Sequence, residues 1–171
     1  KGLNIGMRHI SLSTCGLVPK IYELAKLKKQ LTLSISLHAP NNELRSKLMP
    51  VNKAYNLESL IKACHDYFEH TGRRISFEYA MISGVNDTKE CAFELSALLK
   101  GFNCHVNLIP LNHVAERALM GVTRREAEQF MAWLTEFGIS ATIRREMGTD
   151  IEGACGQLRR RVLEAQREGN T

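Results

Sequence analysis

The sequence predicts an α/β protein whose parallel strands close into part of a barrel, and three observations carry that reading. Strand-length segments alternate with longer segments of helical spacing from end to end, the pattern of βαβ units and a parallel sheet. Strands buried on both faces read as unbroken apolar runs, but here apolar and polar residues alternate. Leu31, Leu33, Ile35 and Leu37 are interleaved with Thr32, Ser34, Ser36 and His38, and Ser76 and Glu78 with Ile75, Phe77 and Tyr79. One face therefore suits packed helices, and the other is polar where a parallel sheet should be covered or enclosed. A barrel or half-barrel whose lumen holds a polar ligand fits this pattern. An antiparallel-like sheet with one solvated face is the plainer alternative.

Each element has its own signal. Arg8–Ser13 reads as the first strand, with Ile10 and Leu12 set against Ser11 and Ser13. Pro19 stands where a first helical turn begins, and Ile21, Leu24 and Ala25 give a helical stripe to about Lys28. Leu31–His38 is the second strand. A short helix over Asn42–Met49 ends at Pro50. Asn56 is an N-cap for a helix carrying Leu57, Leu60, Ile61, Cys64 and Phe68, which Gly72 closes. Ile75–Ile82 is the third strand, Gly84 and Asn86 make a turn, and Asp87 with Glu90 has capping-box spacing for a helix to about Leu99. Cys104–Leu111 is the fourth strand. Thr123 and Glu126 repeat that spacing before Ala127, Phe130, Met131, Leu134 and Phe137. Ala141–Arg144 is the fifth strand, and a glycine-punctuated loop leads to a charged helix from about Gln157. The expected division is a barrel portion over 1–144 and a terminal segment over 145–171.

Composition narrows the class. The chain has 171 residues, 44% hydrophobic and 24% charged, which excludes disordered and low-complexity proteins. No apolar run approaches the roughly 18 residues of a membrane span. Net charge is +5, which permits a polyanionic partner without requiring one. Five cysteines, odd in number and widely spaced, argue against a disulfide framework and for a reducing cytoplasm. No Cys-x-x-Cys or Cys-x-x-x-Cys occurs, so the residues offer no evident zinc or iron–sulfur site. The opening Lys-Gly-Leu-Asn, with a strand almost at once, suggests a piece of a longer protein.

In barrels of this kind the reacting groups lie at the C-terminal ends of strands. Those ends carry Ser13-Thr14, Ser36-Leu37-His38, Asn112 and Arg144-Arg145, and the ligand is expected there. Cys64 and Cys91 fall on the apolar stripes of their helices and read as core. Cys104 and His105 are strand neighbours that point to opposite faces, so they cannot form a dyad. Cys15, just after the first strand, reads as structural. Cys155 lies in Gly153-Ala154-Cys155-Gly156, where small neighbours let another molecule approach the sulfur. Nearby Arg144, Arg145 and Arg159 favour its thiolate. An incidental cysteine in a glycine-rich loop is the competing reading. His38 could serve the sheet end internally, and Glu78 could meet a ligand or an arginine. Arg73-Arg74, Arg124-Arg125 and Arg159–Arg161 are candidates for phosphates or merely solvated, with only 6% aromatics to accompany them.

Taken together, the motifs resemble a known family. Ser11-Leu12-Ser13-Thr14-Cys15-Gly16, Ser36-Leu37-His38-Ala39-Pro40-Asn41, Leu44-Arg45-Ser46-Lys47-Leu48-Met49-Pro50 and Phe77-Glu78-Tyr79-Ala80 are four of them. Gly84-Val85-Asn86-Asp87, Cys104 through Asn112, and Gly153 through Arg159 complete the set. In order and over nearly the whole chain, these resemble the RlmN/Cfr family of radical S-adenosylmethionine (SAM) RNA adenine methyltransferases. The resemblance implies the C-terminal part of a (β/α)₆ barrel that holds SAM and a [4Fe–4S] cluster. It implies methylation of adenine carbon 2 in 23S ribosomal RNA and in tRNA beside the anticodon, by a full-length enzyme that is cytoplasmic and monomeric.

Residue by residue, the resemblance implies SAM contacts at Ser13, Ser36, His38 and Asn112, with Leu37 contributing its backbone. It implies that Cys155 carries the methyl group as S-methylcysteine. A radical generated from a second SAM then activates that methyl for addition to the ring, and a further cysteine releases the product through a disulfide. The logic suits a carbon that is no nucleophile, and the loop glycines let the sulfur face a flipped-out base. The family's Cys-x-x-x-Cys-x-x-Cys motif, Gly-Glu SAM segment, resolving cysteine and N-terminal accessory domain have no counterpart here. The expectation is the C-terminal half of the enzyme, inactive alone and partnered by the missing half, with no metal ligands of its own. The alternatives are a Cfr-type carbon-8 methyltransferase of ribosomal RNA and a non-catalytic RNA-binding remnant.

Overall fold

Five strands form one parallel sheet in the order β1-β2-β3-β4-β5, in a computed structural model that describes residues 6–101, 103–111 and 120–144. The strands are β1 (Ser11–Thr14), β2 (Thr32–Ser36), β3 (Ile75–Met81), β4 (Cys104–Pro110) and β5 (Ala141–Ile143). The helices between them are α1 (Val18–Lys26), α2 (Asn42–Leu48), α3 (Leu57–Thr71), α4 (Lys89–Leu99) and α5 (Arg124–Glu136). Every crossover advances the sheet in the same direction. Since such connections are right-handed, all the crossover helices fall on one face, as in a (β/α) barrel rather than a doubly wound sheet. The described strands leave that barrel open, with β1 and β5 at its edges.

The alternation in the sequence becomes two faces. Leu33 and Ile35 of β2, Ile75, Phe77, Tyr79 and Met81 of β3, and Val106 and Leu108 of β4 are fully buried beneath the helices. Leu60, Ala63, Cys64 and Tyr67 of α3 and Ala127, Phe130 and Leu134 of α5 meet them. Tyr79 stacks on Phe130 with ring centroids 5.4 Å apart, and its hydroxyl donates to the Asn86 carbonyl (2.8 Å), so its polar tip is satisfied inside the core. Cys64 is core as expected, and burial pushes its thiol up to about 12.

Local chemistry sets the boundaries. Asn56 caps α3 by accepting from the Ser59 amide, and Gly72 ends it in the left-handed conformation (φ 64°). Thr123 and Glu126 form the reciprocal capping box of α5. Two expectations are corrected. The α4 cap is Thr88, whose hydroxyl accepts from the Cys91 amide, while Asp87 instead accepts from the Gly84 amide at the preceding turn. The first strand starts later than its apolar alternation suggests, because Met7–His9 winds as a 3₁₀ turn closed by the Ile10 amide on the Met7 carbonyl. Asn112, Cys155, Arg145, Arg159–Arg161, the helix from Gln157 and the whole 145–171 segment lie outside the described residues.

Candidate functional site

The polar residues of neighbouring strands fall into register as rungs. Ser13, Ser34, Ser76 and His105 make one; Ser36, Glu78, Asn107 and Thr142 make the next toward the strand C-termini. In the upper rung the Asn107 amide donates to one Glu78 carboxylate oxygen (2.8 Å), and the Ser34 hydroxyl reaches the other (3.5 Å). Ser34 also shares a hydrogen bond with Ser11 (3.2 Å). At the β5 edge both His105 ring nitrogens are used, on the Ser140 and Thr142 hydroxyls (3.0 and 2.8 Å). Cys104 is buried on the opposite side, so the two neighbours face apart as strand geometry requires. Neither the Ser13 nor the Ser36 side chain has a hydrogen-bond partner among the described residues.

His38 departs from its expected place at the end of a strand. β2 stops at Ser36, and the Leu37 and His38 amides both donate to the Glu78 carbonyl (3.0 and 3.3 Å). His38 itself is left-handed (φ 60°), a conformation uncommon for a residue with a side chain. Having left the strand, it cannot offer a carbonyl to the next β3 amide; its ring Nδ1 accepts from Ala80 N–H instead (3.0 Å). An amide can only donate, so Nδ1 is bare and the neutral ring carries its proton on Nε2. Burial, helped by the Arg45 charge, pulls the imidazole down from 6.5 to about 4, which keeps it neutral at physiological pH.

Two side chains hold this turn: Asn86, expected only as part of the turn with Gly84, and Arg45, which sequence reasoning left without a role. Asn86, fully buried, accepts from the Ile82 amide (2.7 Å) and donates to the carbonyls of Ala80 (2.7 Å) and His38 (2.9 Å). Its amide continues the sheet ladder where β2 has ended, as backbone groups deprived of a partner require. Arg45 is fully buried on α2 and donates to the carbonyls of Leu37 (3.2 Å), Ser36 (3.2 Å) and Cys15 (2.8 Å) and to Asn52 Oδ1 (3.0 Å). Gly16 packs beside it with φ 102°; a Cβ there would stand 3.3 Å from Arg45 Nη2 and 3.1 Å from Leu60. In the sequence Arg45 sits between Glu43 and Lys47 like any solvated helix residue, and its one signal is membership in the Leu44–Pro50 motif.

The arginine pairs separate by topology. Arg73 and Arg74 precede β3 and so lie at the N-terminal end of the sheet, where Arg73 donates to Thr32 Oγ1 (3.0 Å) and the Arg8 carbonyl (3.4 Å). Arg124 and Arg125 open α5 and so lie at the C-terminal end, where Arg124 pairs with Glu128 (2.9 Å) at the surface. Among the described residues no His, Cys, Asp and Glu side chains gather as a metal site, and no helix is long and apolar enough to cross a membrane.

A singly wound parallel sheet with unspent polar groups at its strand C-termini defines the class of open (β/α) barrels with a polar strand-end site. Comparison with solved structures narrows the class. A radical SAM methyltransferase from Sphaerobacter thermophilus superposes with TM-score 0.87 at 48% identity, over 91% of this chain and 46% of that one. A domain of a pyruvate-formate lyase-activating enzyme from Bacteroides vulgatus shares the fold at TM-score 0.57 and 17% identity, over 79% of this chain and 80% of that one.

Curated relatives narrow the class further. The Thermoanaerobacter pseudethanolicus protein named "Probable dual-specificity RNA methyltransferase RlmN" is 58% identical over 162 residues, 95% of this chain and 47% of its own length. Its namesake in Desulforamulus reducens is 55% identical over 160 residues, 94% of this chain and 46% of its own length. No family model matches the chain. Over 94–95% of its length the chain is similar to proteins named RlmN, matching their C-terminal half, and it spans about half the length of the curated relatives it matches.

Proposed function

We propose that this chain is the SAM-binding and methyl-carrying portion of an RNA methyltransferase that modifies carbon 2 of adenine in 23S ribosomal RNA and in tRNA beside the anticodon. The observation that carries the reading is the identity of 54–58% with relatives named dual-specificity RNA methyltransferases. Ser13, Ser36, His38 and Asn112, with the Leu37 backbone, would hold SAM. The donor set suits a nucleoside cofactor: unspent hydroxyls at Ser13 and Ser36, and an imidazole fixed as an Nε2–H donor toward hydroxyl or ring-nitrogen acceptors. SAM, with a [4Fe–4S] cluster whose ligands come from outside this sequence, supplies the methyl group and the one-electron chemistry.

Within this chain the roles divide simply. His38 offers one proton-bearing nitrogen and stays neutral, so it orients without exchanging protons. Cys155 would take the methyl on its thiolate, giving S-methylcysteine with S-adenosylhomocysteine as the leaving group, and its neighbours in sequence include the small Gly153 and Gly156. The partners are ribosomal RNA, tRNA and the remainder of the enzyme, in the cytoplasm. A Cfr-type carbon-8 product is distinguished by the product nucleoside alone.

Two mass-spectrometric readings on the intact enzyme, made in cells that assemble iron–sulfur clusters, test the proposal. The tryptic peptide Glu146–Arg159 should carry one extra methyl, and RNA from complemented cells should contain 2-methyladenosine that Cys155→Ala abolishes. 8-Methyladenosine in its place contradicts the carbon-2 assignment. Full methylation by Cys155→Ala overturns the methyl-carrier role.

A further inference from the structure

Arg45 is a buried cation spent entirely on neutral acceptors. Among the described residues it has no carboxylate partner, although burying a guanidinium is costly unless its hydrogen bonds are met. Burial pulls its pKa below the usual arginine value. Its cost is met only through the acceptors it holds, so what those acceptors belong to shows its task.

The hydrogen bonds supply one. The peptide joining Ser36 to Leu37 is pinned at both ends, its carbonyl by Arg45 Nη2 and its N–H by the Glu78 carbonyl. The next peptide, from Leu37 to His38, is pinned the same way, by Arg45 Nε and again by Glu78. Two successive carbonyls thus converge on one guanidinium while two successive amides converge on one oxygen. The chain must then leave β2 in a fixed direction, and His38 follows in the left-handed conformation that sets its Nδ1 on Ala80. Through the Cys15 carbonyl the same guanidinium locks the end of β1 to the end of β2. Only a planar fork with five donors makes these bonds together, and lysine cannot.

We infer that Arg45 is a positioning residue that sets the Ser36–Leu37–His38 turn and thereby fixes which groups the strand end offers to SAM. The inference rests on the SAM reading above. It also assigns a task to the Leu44–Pro50 motif: α2 delivers Arg45 beneath the turn, and Asn52, held by the Asn42 carbonyl and the Ser46 hydroxyl, completes its seat.

The test uses the intact, cluster-loaded enzyme with Arg45→Met and Asn52→Ala, the latter removing a single arm of the seat. ¹⁵N spectra of labelled histidine report whether His38 remains a single Nε2–H tautomer, and anaerobic titration reports SAM affinity. Arg45→Met should turn the single tautomer into a mixture and weaken SAM binding by at least about tenfold, a change of 1.4 kcal/mol. Asn52→Ala should shift both in the same direction by less. A folded Arg45→Met with an unchanged His38 signature and unchanged affinity overturns the inference. Should Arg45→Met fail to fold, Asn52→Ala decides: unchanged readings overturn it and parallel shifts support it. An altered tautomer in an enzyme whose wild type does not bind SAM supports the positioning role and overturns the SAM reading instead.

Discussion

The two ends of the sheet use the same residue types to opposite purpose. At the β4–β5 side, His105 spends both ring nitrogens on Ser140 and Thr142, and at the N-terminal end Arg73 bridges Thr32 and the Arg8 carbonyl. At the C-terminal end of β2, His38 spends one nitrogen on Ala80 and Arg45 holds the turn from below. At the first end the His105 ring is fully spent and Arg73 is spent through Nη2, with only its buried Nε left over; the groups at the second hold the backbone still and leave side-chain capacity over at Ser36 and His38. A polar face alone therefore does not define a site. What defines it is where fixed donors remain unspent after the fold has taken its share.

The sharpest contrast is between the two arginines. Arg45→Met strands three backbone carbonyls and Asn52 Oδ1. Each buried acceptor left unmet costs on the order of 1–3 kcal/mol, so with four of them urea unfolding should show a loss of about 4 kcal/mol or more. Arg73→Met removes two surface-side bonds and a buried Nε that has no partner, and should cost about 1 kcal/mol or less. Equal losses would dissolve the distinction between the two ends.

Gly16 sharpens it from the backbone side. With φ 102° and Arg45 and Leu60 close to where a Cβ would lie, Gly16→Ala should destabilise by about 1–3 kcal/mol. The same change at Gly138 (φ 84°), where nothing lies within 4 Å, carries the backbone strain alone and should cost less.

A smaller effect separates the histidines by pH. The His38 pKa is about 4 in the folded chain against 6.5 for a free ring, so the unfolded state binds more protons between those values. Its contribution to stability is therefore complete above about pH 6.5 and is lost as pH falls toward 4. His105 is shifted in the same direction, mainly by burial, so the measurement is a difference. The stability–pH slope over this range should flatten in His38→Gln relative to the wild type, and an unchanged slope would show that His38 does not titrate as its surroundings require.

Much of this architecture was legible from alternation and caps. The two-residue period of β2 and β3 and the Thr123–Glu126 box each correspond to what forms, because both are local. The strand-end positions Ser13, Ser36 and His38 were legible too, though the left-handed turn that takes His38 out of β2 was not. The turn role of Asn86 was legible, but the role of Arg45, the closeness of Gly16 to Arg45 and Leu60, and the bond from Asn86 to His38 were not, because they join residues far apart in sequence that meet only after the sheet has assembled. Where Asp87 was taken for a cap, two adjacent residues could both serve, and the backbone chose Thr88.

The most direct measurement is anaerobic titration of SAM into the intact, cluster-loaded enzyme carrying Ser36→Ala, His38→Gln or His105→Gln. The account predicts that Ser36→Ala and His38→Gln each weaken binding by about tenfold, the equivalent of one well-placed hydrogen bond, while His105→Gln leaves it within about twofold. Equal losses at His105 and His38, or none at either strand-end residue, would contradict it.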